Sequence, residues 1–132
     1  MKIPNISCKV EMFCTVNPSE DSEKVKKSIL NIFPNSKIEL KNFLIQAQSK
    51  DLNSFEKIYE VIRSKKSYKT YARNLENNFK NDSTWFYLNK QAAFVEQIAI
   101  CEGSEESPLG PIKVILTSSN IDEIIDWIVY DD

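Results

Sequence analysis

The sequence predicts an α+β protein, with a twisted antiparallel sheet and helices packed on one face. Three observations predict it. Apolar residues switch repeatedly between period two and period 3.6, in the order β-α-β-α-α-β-β-β-α. The last three strands are separated by short turns, which implies antiparallel pairing. The chain has 132 residues, 42% hydrophobic and 27% charged, which suits one globular core. No repeat, low-complexity tract or linker divides it, so residues 1–132 are expected to form one domain.

The first strand is read at 6–16, where Ile6, Cys8, Val10, Met12, Cys14 and Val16 alternate with residues that are polar apart from Phe13. One face meets a core and the other meets water. A helix follows, with Asn17 or Ser19 as its cap and Val25, Ile29, Ile32 and Phe33 on its apolar face. Pro34 and Asn35 stop it. A second strand is read around 37–40, with a possible extension to Ala47, although Phe43-Leu44-Ile45 breaks the alternation.

Two helices come next. Phe55, Ile58, Tyr59 and Ile62 form one apolar stripe, and Tyr68, Tyr71, Ala72, Leu75 and Phe79 form another. Lys65-Lys66-Ser67 is the expected break between them. Strands are read at 84–88 and 93–101, flanking an exposed turn at Asn89-Lys90-Gln91. Ser107-Pro108-Leu109-Gly110 is turn chemistry. A strand at 111–117 and a helix carrying Ile121, Ile124, Ile125 and Ile128, capped by Asn120 or Ser119, complete the chain. Asp131 and Asp132 read as a frayed tail.

Composition excludes several functions. There is no histidine, so the commonest general base and metal ligand are missing. Two glycines, Gly103 and Gly110, cannot build a phosphate-binding glycine loop. Cys8, Cys14 and Cys101 make no Cys-x-x-Cys pair. Cys8 and Cys14 lie six residues apart in one strand, hence ~20 Å apart, too far for a disulfide. Buried free thiols are expected, with no metal and no cofactor. No nucleophile–base pair is apparent, so the chain is read as a non-enzyme. It has no long apolar run and no apolar leader, which gives a cytoplasmic protein with no membrane partner as the expectation.

Net charge is −2, yet it is unevenly spread. Residues 1–90 hold 16 basic and 10 acidic side chains, whereas 91–132 hold one basic and nine acidic. On a helical wheel, Lys66, Lys69, Arg73 and Lys80 fall within about 60° of one another, beside the Tyr68-Ala72-Leu75-Phe79 stripe. Such a flank could track a phosphate backbone. The alternative is a solvated helix face in which Glu76 pairs with Lys80. Trp85-Phe86-Tyr87 must turn one or two rings outward. Exposed rings on a sheet stack bases in some RNA modules, while cross-strand packing is their commoner use. Asp122 and Glu123 suit the first turn of the last helix and require no metal.

Five segments carry a resemblance. They are Pro18-Ser19-Glu20-Asp21-Ser22-Glu23-Lys24-Val25, Asn31-Ile32-Phe33-Pro34, Leu88-Asn89-Lys90-Gln91-Ala92-Ala93-Phe94, Glu106-Ser107-Pro108-Leu109-Gly110-Pro111-Ile112 and Asp122-Glu123-Ile124-Ile125-Asp126-Trp127-Ile128. In this order and spacing the chain resembles the archaeal uncharacterised protein family 0201. The resemblance implies an antiparallel α+β fold similar to the ribosomal protein that binds five-S RNA, and membership of a group predicted to bind RNA. It carries Lys90 and Gln91 over as site residues. Arg73 matches an arginine near the end of the family's middle helix, although Tyr68-Lys69-Thr70-Tyr71-Ala72 lacks the Leu-Asp pair expected before it. From the residues alone, Gln91 could equally bond free backbone groups at a strand end.

The expected function is RNA binding through Lys66, Lys69, Arg73 and Lys80, joined by Lys90 and Gln91. The rival expectation is a protein-interaction subunit that docks through its acidic C-terminal region or forms a homo-oligomer.

Overall fold

The computed structural model describes residues 3–130; the Asp131–Asp132 tail lies outside them. Strand β1 (Lys9–Thr15) enters helix α1 (Ser22–Ile32), then a hairpin of β2 (Lys37–Lys41) and β3 (Leu44–Ser49). A 3-10 turn (Leu52–Phe55) leads into α2 (Glu56–Ser64) and α3 (Tyr68–Asn77). The chain continues through β4 (Ser83–Leu88), α4 (Lys90–Phe94), β5 (Ile100–Cys101), β6 (Ile112–Thr117) and α5 (Ile121–Val129).

The strands form one six-stranded sheet in the order β2-β3-β1-β6-β4-β5. Every neighbouring pair is antiparallel. The helices cover one face, as the sequence predicts. Val10, Met12 and Cys14 of β1, Phe86 and Leu88 of β4, and Ile112, Val114 and Leu116 of β6 point into a core closed by Ile29, Phe55, Ile58, Leu75, Ile124 and Ile128. Phe86 anchors it, with the rings of Phe55 and Tyr71 meeting it edge-on at 6.0 and 5.7 Å.

Three sequence expectations are corrected. The 37–47 segment is a hairpin, not one strand. Asn42 takes φ 57°, and the chain reverses there, so the alternation breaks at Phe43. The expected strand at 93–101 is mostly absent. Asn89 accepts a hydrogen bond from the Ala92 N–H at 2.8 Å and starts α4, leaving only Ile100–Cys101 as a strand. Asp21, not Asn17 or Ser19, caps α1, accepting from the Glu23 N–H at 2.9 Å.

Other readings agree with the structure. Lys66 takes φ 52° in the break between α2 and α3. Asn120 holds the cap position of α5 but makes no side-chain cap bond; Ser118 Oγ accepts from the Asn120 N–H instead, at 3.1 Å. All three cysteines are free and buried. Burial pushes the Cys8 and Cys14 thiols up to about 11.

Candidate nucleic-acid interface

The predicted residues separate into three places. The first is the outer flank of α3. Lys66, Lys69, Arg73 and Lys80 are all exposed. Lys69 and Arg73 stand on successive turns and line, with Tyr68, Ala72, Glu76 and Tyr130, a shallow cleft of about 370 Å³ between α3 and the end of α5. Arg73 is paired with Glu102 across the surface, both side chains about half exposed. Glu76 accepts a hydrogen bond from the Tyr130 hydroxyl, instead of pairing with Lys80 as one reading had it. That bond raises the Tyr130 pKa, since it favours the protonated hydroxyl. Lys80 lies beyond α3 and bridges Ser83 through backbone hydrogen bonds.

The second place holds Lys90 and Gln91. Lys90 is not in an exposed turn: it is the first residue of α4 and only 3% exposed. Its Nζ donates to Thr15 O at 2.9 Å, to Leu109 O at 2.6 Å and to the Glu20 carboxylate at 3.0 and 3.2 Å. An ammonium has three hydrogens, and the protein's own groups occupy them. Asn17 reinforces the knot, donating from its backbone N–H and from Nδ2 to Glu20 Oε1 and from Nδ2 to Leu109 O. Burial pushes the Glu20 pKa up, but the hydrogen bonds from Asn17 and Lys90 and the Lys90 charge outweigh it and leave Glu20 below its ordinary value. Ser107 Oγ lies within bonding distance of Gln91 Oε1 at 3.0 Å and Gly110 O at 2.8 Å, and accepts from the Lys90 N–H at 3.3 Å. Gly110 takes φ 90°, and a Cβ there would lie 3.0 Å from Thr15 Oγ1. The Pro-Ser-Glu-Asp, Asn-Lys-Gln-Ala-Ala and Ser-Pro-Leu-Gly segments therefore converge in space, with Lys90 as the tie. Its side chain is removed from the surface where a phosphate would sit.

The third place was only half visible in sequence. It is the sheet face that carries no helices. Trp85 and Tyr87 point onto it while Phe86 points inward. The register places Lys113 between Tyr87 and Phe13, and Ile115 between Trp85 and Glu11. The Trp85 and Tyr87 ring centroids are 4.9 Å apart, and Lys113 Nζ stands 4.6 Å from the Trp85 ring. Gln46 and Gln48 of β3 extend the rows beyond Phe13 and Glu11. Alternation predicted an outward ring, but not that β6 would set a lysine beside it.

Among the described residues, no cluster of three or more Cys, Asp or Glu could hold a metal ion, and no helix is long and apolar enough to cross a membrane.

The architecture defines a class: an antiparallel α+β domain with one face closed by helices and one face open. The chain belongs to the archaeal UPF0201 family. A family model described as RNA binding matches residues 9–118, from β1 through the whole of β6. A UPF0201 protein of Methanothermobacter thermautotrophicus is 35% identical over 123 residues, covering 93% of this chain and 92% of that one. One from Sulfurisphaera tokodaii is 36% identical over 117 residues, covering 86% and 81%. The crystal structure of the UPF0201 protein from Methanococcus jannaschii superposes with a TM-score of 0.76 at 32% identity, covering 94% of each chain. The family expected from the five sequence segments is thus the family found.

Proposed function

We propose that this chain is a non-enzymatic RNA-binding protein that meets the phosphate backbone through the exposed cations of α3 and its flanks: Lys66, Lys69, Arg73 and Lys80. The observation that carries the reading is the α3–α5 cleft, where Lys69 and Arg73 stand side by side at the rim beside Tyr68. The RNA-binding description of the matching family model supports the ligand class. The Arg73–Glu102 pair fits the reading too: a half-exposed ion pair is worth little in water, so a phosphate can replace the carboxylate at small cost. Lys90 acts from beneath the surface, by holding the segments that carry Gln91 in place.

Four phosphate contacts on a single strand give a log–log salt slope of roughly −3, since each contributes about −0.7. Lys69→Ala/Arg73→Ala is expected to flatten that slope by about 1.4. Filter binding of RNA across a salt series reads it. No RNA retained at low salt would sink the proposal. An unchanged slope would move the contact surface away from α3. Charge reversal at Asp122 and Glu123 is expected to leave retention intact; if it alone releases a co-purifying protein, the acidic α5 is the working surface instead.

A further inference from the structure

We infer that the open sheet face is a second, separate RNA surface: a platform on which the bases of a single strand stack against Trp85, Tyr87 and Phe13. It goes beyond the α3 reading, because it uses other elements, other chemistry and the opposite side of the sheet.

Three features select this occupant. First, the rings are positioned by the sheet. Trp85 and Tyr87 are two residues apart on β4, and Phe13 lies beyond Lys113 in the same row as Tyr87. All three are half-buried, so each ring is steadied by its neighbours while part of it meets solvent. Second, the local charge favours a polyanion. Lys9 and Lys41 are matched by Glu11 and Glu39 at 3.5 and 3.8 Å, whereas Lys37 and Lys113 make no ion pair among the described residues. The acidic residues of α5 belong to the helical side. Third, the ground around the rings is polar apart from Ile115, which lies between Trp85 and Glu11. Gln46, Gln48, Ser83 and Thr117 occupy the flanking positions, and Ser83 Oγ and Thr117 Oγ1 lie 3.1 Å apart. Amides and hydroxyls can bond base edges. Stacking tolerates any base, so the expected ligand is single-stranded RNA with weak sequence preference.

The chain carries its own reporter. Its two tryptophans are Trp85, on the open face, and Trp127, 5% exposed in the core. In Trp127→Phe the emission comes from Trp85 alone. Titration with a 12-nucleotide oligouridylate is expected to quench it at saturation, and a duplex of equal length to quench it far less. Trp85→Ala/Tyr87→Ala should weaken binding about tenfold or more without changing the salt slope, while Trp85→Phe keeps affinity within about threefold. Circular dichroism confirms that the variants fold. Saturating RNA that leaves Trp85 emission unchanged overturns the platform, and so does an alanine pair that binds like the parent. A dimer that falls apart in the alanine pair while RNA affinity is unchanged also overturns it, in favour of self-association. These results leave the α3 reading standing, because that reading is judged on the salt slope. Failure of the unmodified chain to bind any RNA removes both.

Discussion

Replacing Lys90 by methionine probes the polar knot directly. Methionine keeps much of the length and apolar stem but removes the ammonium. Thr15 O loses its Lys90 bond, and the Glu20 carboxylate, with 11% of its side chain exposed, loses its counter-charge. Breaking a buried ion pair from one side costs roughly 3–5 kcal/mol. The lower end applies here, because Asn17 continues to donate to both Glu20 and Leu109 O. About 3 kcal/mol is a large share of the ~5–15 kcal/mol that holds a domain together. For a chain of this size it corresponds to a fall in Tm of about 10–15 °C. Urea unfolding followed by circular dichroism gives the value. Lys90→Met/Glu20→Gln is expected to recover about half of the loss, since no unpaired charge is then left buried. A single variant within about 1 kcal/mol of the parent would refute the knot as a stabilising element.

Acid should act through the same contact: Glu20 is held below its ordinary value of 4.5, so its contribution is complete above that pH and is lost as pH falls through the depressed native value, and Glu20→Gln should flatten the acid limb of a stability–pH curve. Glu96→Gly should stabilise by about 1 kcal/mol in thermal unfolding, because Glu96 takes φ 61° where the Gln97 N–H bonds Ala92 O at 2.8 Å, a helix end that favours glycine. Arg63→Lys should destabilise by about 1.5–3 kcal/mol, since Arg63 bonds Trp127 O and Ile128 O at 2.9 and 2.8 Å at the end of α5 while its guanidinium lies 3.4 Å from the Tyr59 ring centroid, and lysine cannot reproduce that fork; denaturant titration reads the loss. The Cys8 and Cys14 thiols, buried and raised to about 11, should react with a thiol reagent at pH 8 only after urea is added.

Legibility in the sequence followed the range of the forces involved. β1, α2, α3, β6 and α5 were readable because each buries one face against a continuous core, which imprints a period of two or 3.6. The β2–β3 hairpin was blurred because β2 is an edge strand with four of its five residues exposed, so burial imposes little pattern on it. The 90–94 segment misled because Ala92-Ala93-Phe94-Val95 is apolar enough for a strand, while its helix is set by one cap from Asn89. The alternation of the sheet gave the outward direction of Trp85 and Tyr87 but not their neighbours, which depend on the β4–β6 register. Lys90 was least readable of all. Its partners lie 70, 75 and 19 residues away, and nothing local distinguishes a lysine that will be buried from one in water.

The strand order has a consequence for how the chain is made. Among the described residues, strand β6 alone joins the β2-β3-β1 and β4-β5 parts of the sheet, and it comes last of the six in chain order. During synthesis, β1 and β4 each wait with an open edge until residues 112–117 emerge. Those two strands carry Val10, Met12, Phe86 and Leu88, all fully buried in the folded protein. From the completion of β4 until β6 emerges, the nascent protein therefore holds two incomplete β-layers, and it is most exposed to aggregation in that interval. A stop codon a few residues ahead of Ile112 would leave neither half with a partner.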